Sequence, residues 1–533
     1  MSPAVAAFVD VLLRGLALCA QATAVGGVVF ALWVLRGGRR QDPALEGLRR
    51  RALGLLALGG LALAGTQALL LVLHVSALAD DGPWPLREVA TTGYFRACVI
   101  RLLAGGALAV TALALRRPGA ARPCVPSAPA VWAMVALSLV VVGASGWMSH
   151  AAGRLEQRDT LVALDAIHQI AAAVWLGGLV HLTVAAFRGG AEPWPGVVLA
   201  RFSGVALAAV GVLVAAGAGL SMMYIDGIGG LLGTAYGVMV LTKIVLLTGL
   251  LALGALNFFA VQRLGAGRRV SLPRVRWFVE VEMGLGLTVL FAAASLTSLP
   301  PAMDVVADRA SLGEIVHRFT PRWPTFTSPA VADMPVEDRE APRTDADRQW
   351  SEYNHHVAGL VVLTMGLLAM LHVIGGRRWA RHWPLLFLGL AAFIVVRGDP
   401  GAWPLGPQGF WESMRYPEVV QHRLFALVVV LFGVFEWLVR TGRLRRRVFA
   451  YVFPLLSSVG GALLLTHSHA LLDLKSEFLT EVTHVPIGVL ALFVGWARWL
   501  ELRLPPPDDA LPRRIWATAF TLVGVLLLIY RES

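Results

Sequence analysis

Residues 199–223 read LARFSGVALAAVGVLVAAGAGLSMM. After Arg201 this stretch carries no charged side chain. About 20 apolar residues at 1.5 Å per residue are what a helix needs to cross the hydrocarbon of a bilayer. Comparable runs recur on both sides, at roughly 5–35, 51–78, 94–115, 129–149, 161–187, 236–261, 276–299, 354–374, 383–397, 421–439, 448–466, 482–500 and 513–530. With 199–223 they make fourteen spans, of which 383–397 is the shortest. The expected fold is therefore all-α, a polytopic integral membrane protein. Its 533 residues are 57% hydrophobic and 15% charged, with a mean hydropathy of +0.67, which excludes a soluble enzyme. A secretory signal would open on a positive n-region, but only Arg14 appears early and it lies inside the apolar stretch, so 5–35 is kept as a span.

The net charge of +12 is explained by position. Arginines crowd alternate loops: Arg36, Arg39, Arg40 and Arg49, then Arg116, Arg117 and Arg122, then Arg263, Arg268, Arg269 and Arg274. Arg377, Arg378 and Arg381 follow, then Arg440, Arg443, Arg445, Arg446 and Arg447, and finally Arg498, Arg503, Arg513 and Arg514. Intervening loops hold acidic residues such as Asp80, Asp81, Asp226, Asp304, Asp308, Asp473 and Glu477. By the positive-inside rule both termini and the acidic loops lie outside the cytoplasm, and nucleic acid is not a partner. Eight spans fall in 1–299, a periplasmic segment occupies 300–353, and six spans fall in 354–533, which predicts two bundles. A helical piece is expected around Ala310–Phe319, while Pro321, Pro324, Pro329, Pro335 and Pro342 favour extended chain. Cys19, Cys98 and Cys124 form no CxxC pair, and neither a phosphate-binding GxxxxGK[ST] loop nor a DKTG sequence occurs, so direct ATP-driven pumping is not expected.

Nine of the thirteen histidines fall at the outer face on this topology: His74, His150, His168, His355, His356, His422, His467, His469 and His484. Imidazole is the commonest protein metal ligand, and histidines placed for packing alone would divide between both faces. In the first half the informative stretch is 143–182, GASGWMSHAAGRLEQRDTLVALDAIHQIAAAVWLGGLVHL. His150 ends the fourth span and His168 lies about two turns into the fifth. Asp165, three residues before His168, shares its helix face and is placed to accept the ring N–H or join a site. Met148, Met222 and Met223 lie at similar depth and suit a soft ion, although methionine is also an ordinary core filler.

These residues resemble the CopD family of bacterial copper-resistance membrane proteins. The likeness lies in Ser149-His150-Ala151, in His168 followed by Trp175-Leu176-Gly177-Gly178-Leu179, and in Arg201-Phe202-Ser203. It continues through Leu232-Gly233-Thr234-Ala235-Tyr236-Gly237, Lys243, Asn257 and Glu280 to Leu296-Thr297-Ser298-Leu299-Pro300-Pro301. It covers roughly 130–302 well and the first four spans loosely; Ser149 stands where the family commonly has Gly. The resemblance implies an inner-membrane protein that handles copper, moving it inward from the periplasm.

The second half rests on its residues alone. Tyr353-Asn354-His355-His356 is read as opening the ninth span and Gln421-His422-Arg423 the eleventh. Thr466-His467-Ser468-His469 closes the twelfth, and Thr483-His484-Val485-Pro486 opens the thirteenth. Four helices thus bring six histidines to one level, with Glu352, Asp473, Glu477 and Glu481 nearby. His355 and His356 point about 100° apart on a helix, so one of the two is the expected ligand. Paired b-type haems would need aligned histidines at opposite depths. His168 and His181 differ by about 220° and His356 and His372 by about 160°, which leaves at most one haem at the outer face. Within the spans, Lys243, Glu280, Glu282 and Glu436 are ionisable and costly in lipid, with Glu280 and Glu282 expected near the cytoplasmic interface.

The sequence is therefore read as a transporter rather than an enzyme. Copper is its expected ion, as Cu(II) on histidine or Cu(I) with methionine, and zinc is the weaker candidate. The alternatives are a metal- or haem b-dependent membrane oxidoreductase, and a non-transporting partner of a periplasmic copper chaperone.

Overall fold

The computed structural model describes residues 3–36, 43–79, 86–116, 127–186, 196–334, 344–466 and 474–532. Cys124, Asp80, Asp81, Asp473, Pro335 and Pro342 lie outside them, as do His467 and His469. Among the described residues, fourteen helices are long and apolar enough to cross a membrane. They are α1 (Ala6–Val34), α2 (Leu45–Ala77), α3 (Gly93–Arg116), α4 (Ala128–Gly146), α5 (Arg158–Val184), α6 (Gly196–Tyr224) and α7 (Ala235–Gly265). The rest are α8 (Leu272–Leu296), α9 (Asp345–Val373), α10 (Arg378–Arg397), α11 (Val419–Arg440), α12 (Arg447–Thr466), α13 (Leu474–Arg503) and α14 (Ala510–Leu528). No strand occurs among the described residues. The chain is all-α and multi-pass, as its apolar runs require: helices satisfy their own backbone polar groups where no water can.

Two compact units divide it, one taking in Met1–Arg309 and the other Ala310–Leu465 with Asp473–Ser533. In the first, α2 lies along α1 and α3, α4 along α3, α5 along α6, and α8 along both α7 and α1. Glycine sets the closest approach. A Cβ at Gly177 would stand 1.8 Å from the Ala22 carbonyl oxygen, and one at Gly26 would stand 2.1 Å from that of Ala173, so α1 and α5 meet backbone to backbone. At this crossing α5 leaves α-geometry for a π turn, Ala173–Gly177, a device common beside functional sites.

In the second unit α9 and α13 both lie against α14, and α10 lies against α11. Trp383, Phe453, Trp516 and Phe520 form an edge-to-face aromatic core. The Arg440 guanidinium sits 4.8 Å from the Trp383 ring and 5.4 Å from Trp516, and its charge is met by Glu436 at 2.6 Å. The Glu436 charge noted in the sequence is thus paired inside protein.

Several helix ends differ from the hydropathy reading. α9 begins at Asp345, not near 354, because Thr344 caps it: its hydroxyl accepts from the Asp347 N–H (3.2 Å) and the Asp347 carboxylate accepts from the Thr344 N–H (2.8 Å). His355 and His356 therefore lie inside the helix, more than two turns from its start. α10 opens earlier than expected with a 3₁₀ segment, Arg378–Leu385, whose Pro384 cannot supply an α-helical N–H. α4 stops at Gly146, so His150 begins a separate turn, His150–Gly153. The helical piece anticipated around Ala310–Phe319 is Leu312–Phe319, and the described chain from 321 to 330 has no helix.

Candidate functional site

In the first unit, His150, Met148 and Ser149 line an open cavity of about 460 Å³ together with Arg14, Tyr94, Arg154 and Asp304. The strand-free turn after α4 brings His150 back towards the end of α8, where its Nε2 bonds the Leu296 carbonyl at 3.1 Å. Arg154 closes one side on Asp304 at 2.6 Å. His74 stands near the same residues: its ring lies 4.5 Å from that of Tyr94 and its Nε2 is 3.7 Å from Asp10. Asp226, outside the spans, is held below the ordinary aspartate range by the hydrogen bond from Arg309.

Beneath Met148 runs a hydrogen-bonded chain across three helices. Arg101 donates to the Met148 sulfur (3.2 Å) and to Gln21 Oε1 (2.8 Å). Gln21 donates to Gln169 (2.9 Å), and Gln169 to Asp165 (2.8 Å). Asp165 is thus engaged with Gln169. His168 turns to the other side, with its Nδ1 donating to the Leu213 carbonyl at 3.1 Å, so Asp165 does not take its ring N–H. Lys243 of α7 is close enough to Asp165 to attract it electrostatically. Met223 packs under Tyr224 and Tyr236, whereas Met222 is 81% exposed. Gln67 is fully buried, and its amide has no partner among the described residues.

In the second unit, two of the sequence-expected ligands meet. The rings of His355 (α9) and His484 (α13) lie 5.8 Å apart at their centroids and 74° to one another. Tyr530, just past α14, stacks on His355 at 3.9 Å and meets His484 edge-on at 5.5 Å. Each imidazole commits Nδ1 to the carbonyl one turn back on its own helix, His355 to Ser351 and His484 to Thr480 (2.8 and 2.9 Å). That bond fixes the tautomer and leaves Nε2 as the lone-pair nitrogen.

His356 is different. Its Nδ1 accepts from the Thr325 N–H at 3.1 Å and its Nε2 donates to the Tyr530 carbonyl at 2.9 Å, so both nitrogens are engaged. His422 bonds Asp399 at 3.0 Å, away from the pair. His467 and His469 lie outside the described residues. No group of three or more His, Cys, Asp or Glu side chains is gathered for one ion among the described residues. Sequence reasoning did not single out Arg101, Tyr94 or Tyr530. A lone arginine in an apolar run was the available signal for Arg101; nothing local marked Tyr530.

The family model for copper resistance protein D matches residues 196–296. Over 288 residues the chain is 29% identical to copper transport protein CutJ of Bacillus subtilis (strain 168), an alignment that takes in 52% of this chain and 50% of that protein. The match thus spans half the relative's length. No solved structure matches. The resemblance seen in the sequence is borne out over 196–296, a stretch that holds Met222 and Met223 but no histidine.

Proposed function

We propose that this chain handles copper at the inner membrane, taking it up at the periplasmic face and passing it inward without hydrolysing ATP. The family match and the relative's name support the choice of copper. The observation that carries the site is the His355–His484 pair, two imidazoles from different helices, each with Nδ1 bonded to its own helix and Nε2 left as the lone-pair nitrogen. Metal–imidazole bonds of about 2 Å place the centroids of two rings on one ion roughly 5 Å apart at a tetrahedral angle and roughly 6 Å apart when nearly linear, so the 5.8 Å spacing of this pair suits a near-linear arrangement. His150 and Met148 at the other cavity form the second proposed site, a nitrogen and a sulfur that together favour Cu(I). His168, His422, His467 and His469 are further candidate ligands, and a periplasmic chaperone is a candidate donor.

The test is copper stoichiometry of the purified full chain, comparing wild type with His355→Ala/His484→Ala and with His150→Ala/Met148→Ala, followed by uptake into proteoliposomes. Loss of bound copper in either double variant supports the corresponding site. Full copper content in both would remove the site assignment, and proteoliposomes that take up no copper would remove the transport reading.

A further inference from the structure

Of the ionisable side chains within the spans, the sequence singles out four as costly in lipid, Lys243, Glu280, Glu282 and Glu436, and three of these have a charged neighbour. Glu280 meets Arg276 at 3.2 Å, Glu436 meets Arg440 at 2.6 Å, and Lys243 attracts Asp165. Glu282 is the fourth, 3% exposed, and both its hydrogen-bond partners are neutral. Trp175 Nε1 of α5 donates to Oε1 (3.2 Å) and Asn257 Nδ2 of α7 donates to Oε2 (3.0 Å).

The carboxyl borders a cavity of about 280 Å³ enclosed by α5, α6, α7 and α8, whose walls include Leu207, Leu251, Phe258 and Phe259. Glu282 is the single charged residue in that lining. Leu207 and Phe259 are about 60% exposed on the outer surface of their helices, where lipid lies, so the cavity is apolar on its open side. No other charged group of these helices, Lys243, Arg263 and Arg274 included, lines the cavity. His168 and His181 of α5 bond the carbonyls of Leu213 and Thr23, Arg201 of α6 bonds those of Val34 and Arg36, and Glu280 of α8 faces Arg276.

A lone carboxylate here costs several kcal/mol unless it is neutralised, and the cheapest neutralisation is a proton. Its surroundings serve both forms. Two N–H donors stabilise the anion. Asn257 Oδ1, buried and without a donor among the described residues, can accept the O–H of the acid once the amide rotates.

We propose that Glu282 is a proton-binding site within the membrane domain, taking a proton as the carboxylate and releasing it from the acid. Its coupling to cargo movement rests on the copper-transport reading; its proton binding does not. The first experiment is reaction of the purified full-length wild type with dicyclohexylcarbodiimide, an apolar reagent that adds to protonated carboxyls. Mass spectrometry then locates the adduct. Glu282 is expected to be modified and Glu280 not, with labelling falling about tenfold per pH unit above the titration midpoint. An unmodified Glu282, or labelling flat from about pH 5 to about pH 9, overturns the proposal.

The second experiment is copper uptake into proteoliposomes with and without an imposed pH gradient, for wild type and Glu282→Gln. Gradient-stimulated uptake in wild type that is lost in the variant supports coupling, and a retained response in the variant overturns it. If wild type moves no copper at all, the transport reading fails while the labelling result still decides the site.

Discussion

At the residue scale the outer histidines separate into groups doing different work. His356 is 3% exposed and ties Thr325 of the inter-span segment to Tyr530 at the end of the chain. Replacing it with alanine leaves a half-buried N–H and a buried carbonyl without partners, at about 1–3 kcal/mol. His356→Ala should therefore lower the midpoint of a detergent thermal melt and leave copper stoichiometry unchanged. Copper loss with an unchanged melt would reverse this division of labour. The sequence carried part of this distinction. Helix phase says that adjacent histidines cannot both face one ion, but which of them meets His484 depends on where α9 crosses α13 and α14, a tertiary fact that no local pattern encodes. The unpaired state of Glu282 was equally hidden, since Arg276 stands four residues before Glu280 and its partner choice needs the helix face.

At the element scale, apolar run length made the fourteen helices legible, because the bilayer imposes one length on all of them. It failed where helices outrun the hydrocarbon. The polar turns of α9 from Asp345 have no hydropathy signal, and only the Thr344–Asp347 cap marks them. Close crossings were also invisible beyond the bare Gly177-Gly178 pair. At Gly177 an added Cβ would strike the Ala22 backbone, so Gly177→Ala should cost about 1–3 kcal/mol through overpacking. Gly249→Ala on α7 meets nothing within 4 Å and should leave the melt within about 0.5 kcal/mol of wild type. Equal effects from the two substitutions would contradict the backbone-to-backbone crossing.

The short helix Leu312–Phe319 offers an acid test. The hydrogen bond from Lys475 at 2.8 Å, with those from Ser311, pulls the Glu314 carboxyl from its ordinary 4.5 down to about 2. Because the folded value is the lower one, this contribution is complete above 4.5 and is lost as pH falls towards 2. Hydrogen exchange of the Leu312–Phe319 amides should accelerate over that window in wild type. In Glu314→Gln it should already be faster at neutral pH and show no further step. Identical profiles in the two proteins would rule the cap out as the cause.

At the scale of the whole molecule, function depends on which side of the membrane each loop faces. The arginine-rich connections after α7, α9 and α11 alternate with connections holding Asp226, Asp304 and Asp308, a bias that orients a multi-span protein with its basic loops in the cytoplasm. On the proposed orientation the loop that holds Asp304, next to His150, faces the periplasm. Glu282, expected from the sequence near the cytoplasmic interface, stands ten residues into the 25-residue α8 and so near its middle, because the helix begins at Leu272 and not near 276. Single cysteines placed in a cysteine-free variant decide the orientation. Met303→Cys should react with a membrane-impermeant maleimide in intact spheroplasts, and Thr441→Cys only after the membrane is permeabilised. The opposite pattern would invert the protein, put the histidine pair in the cytoplasm and convert the proposed uptake into export.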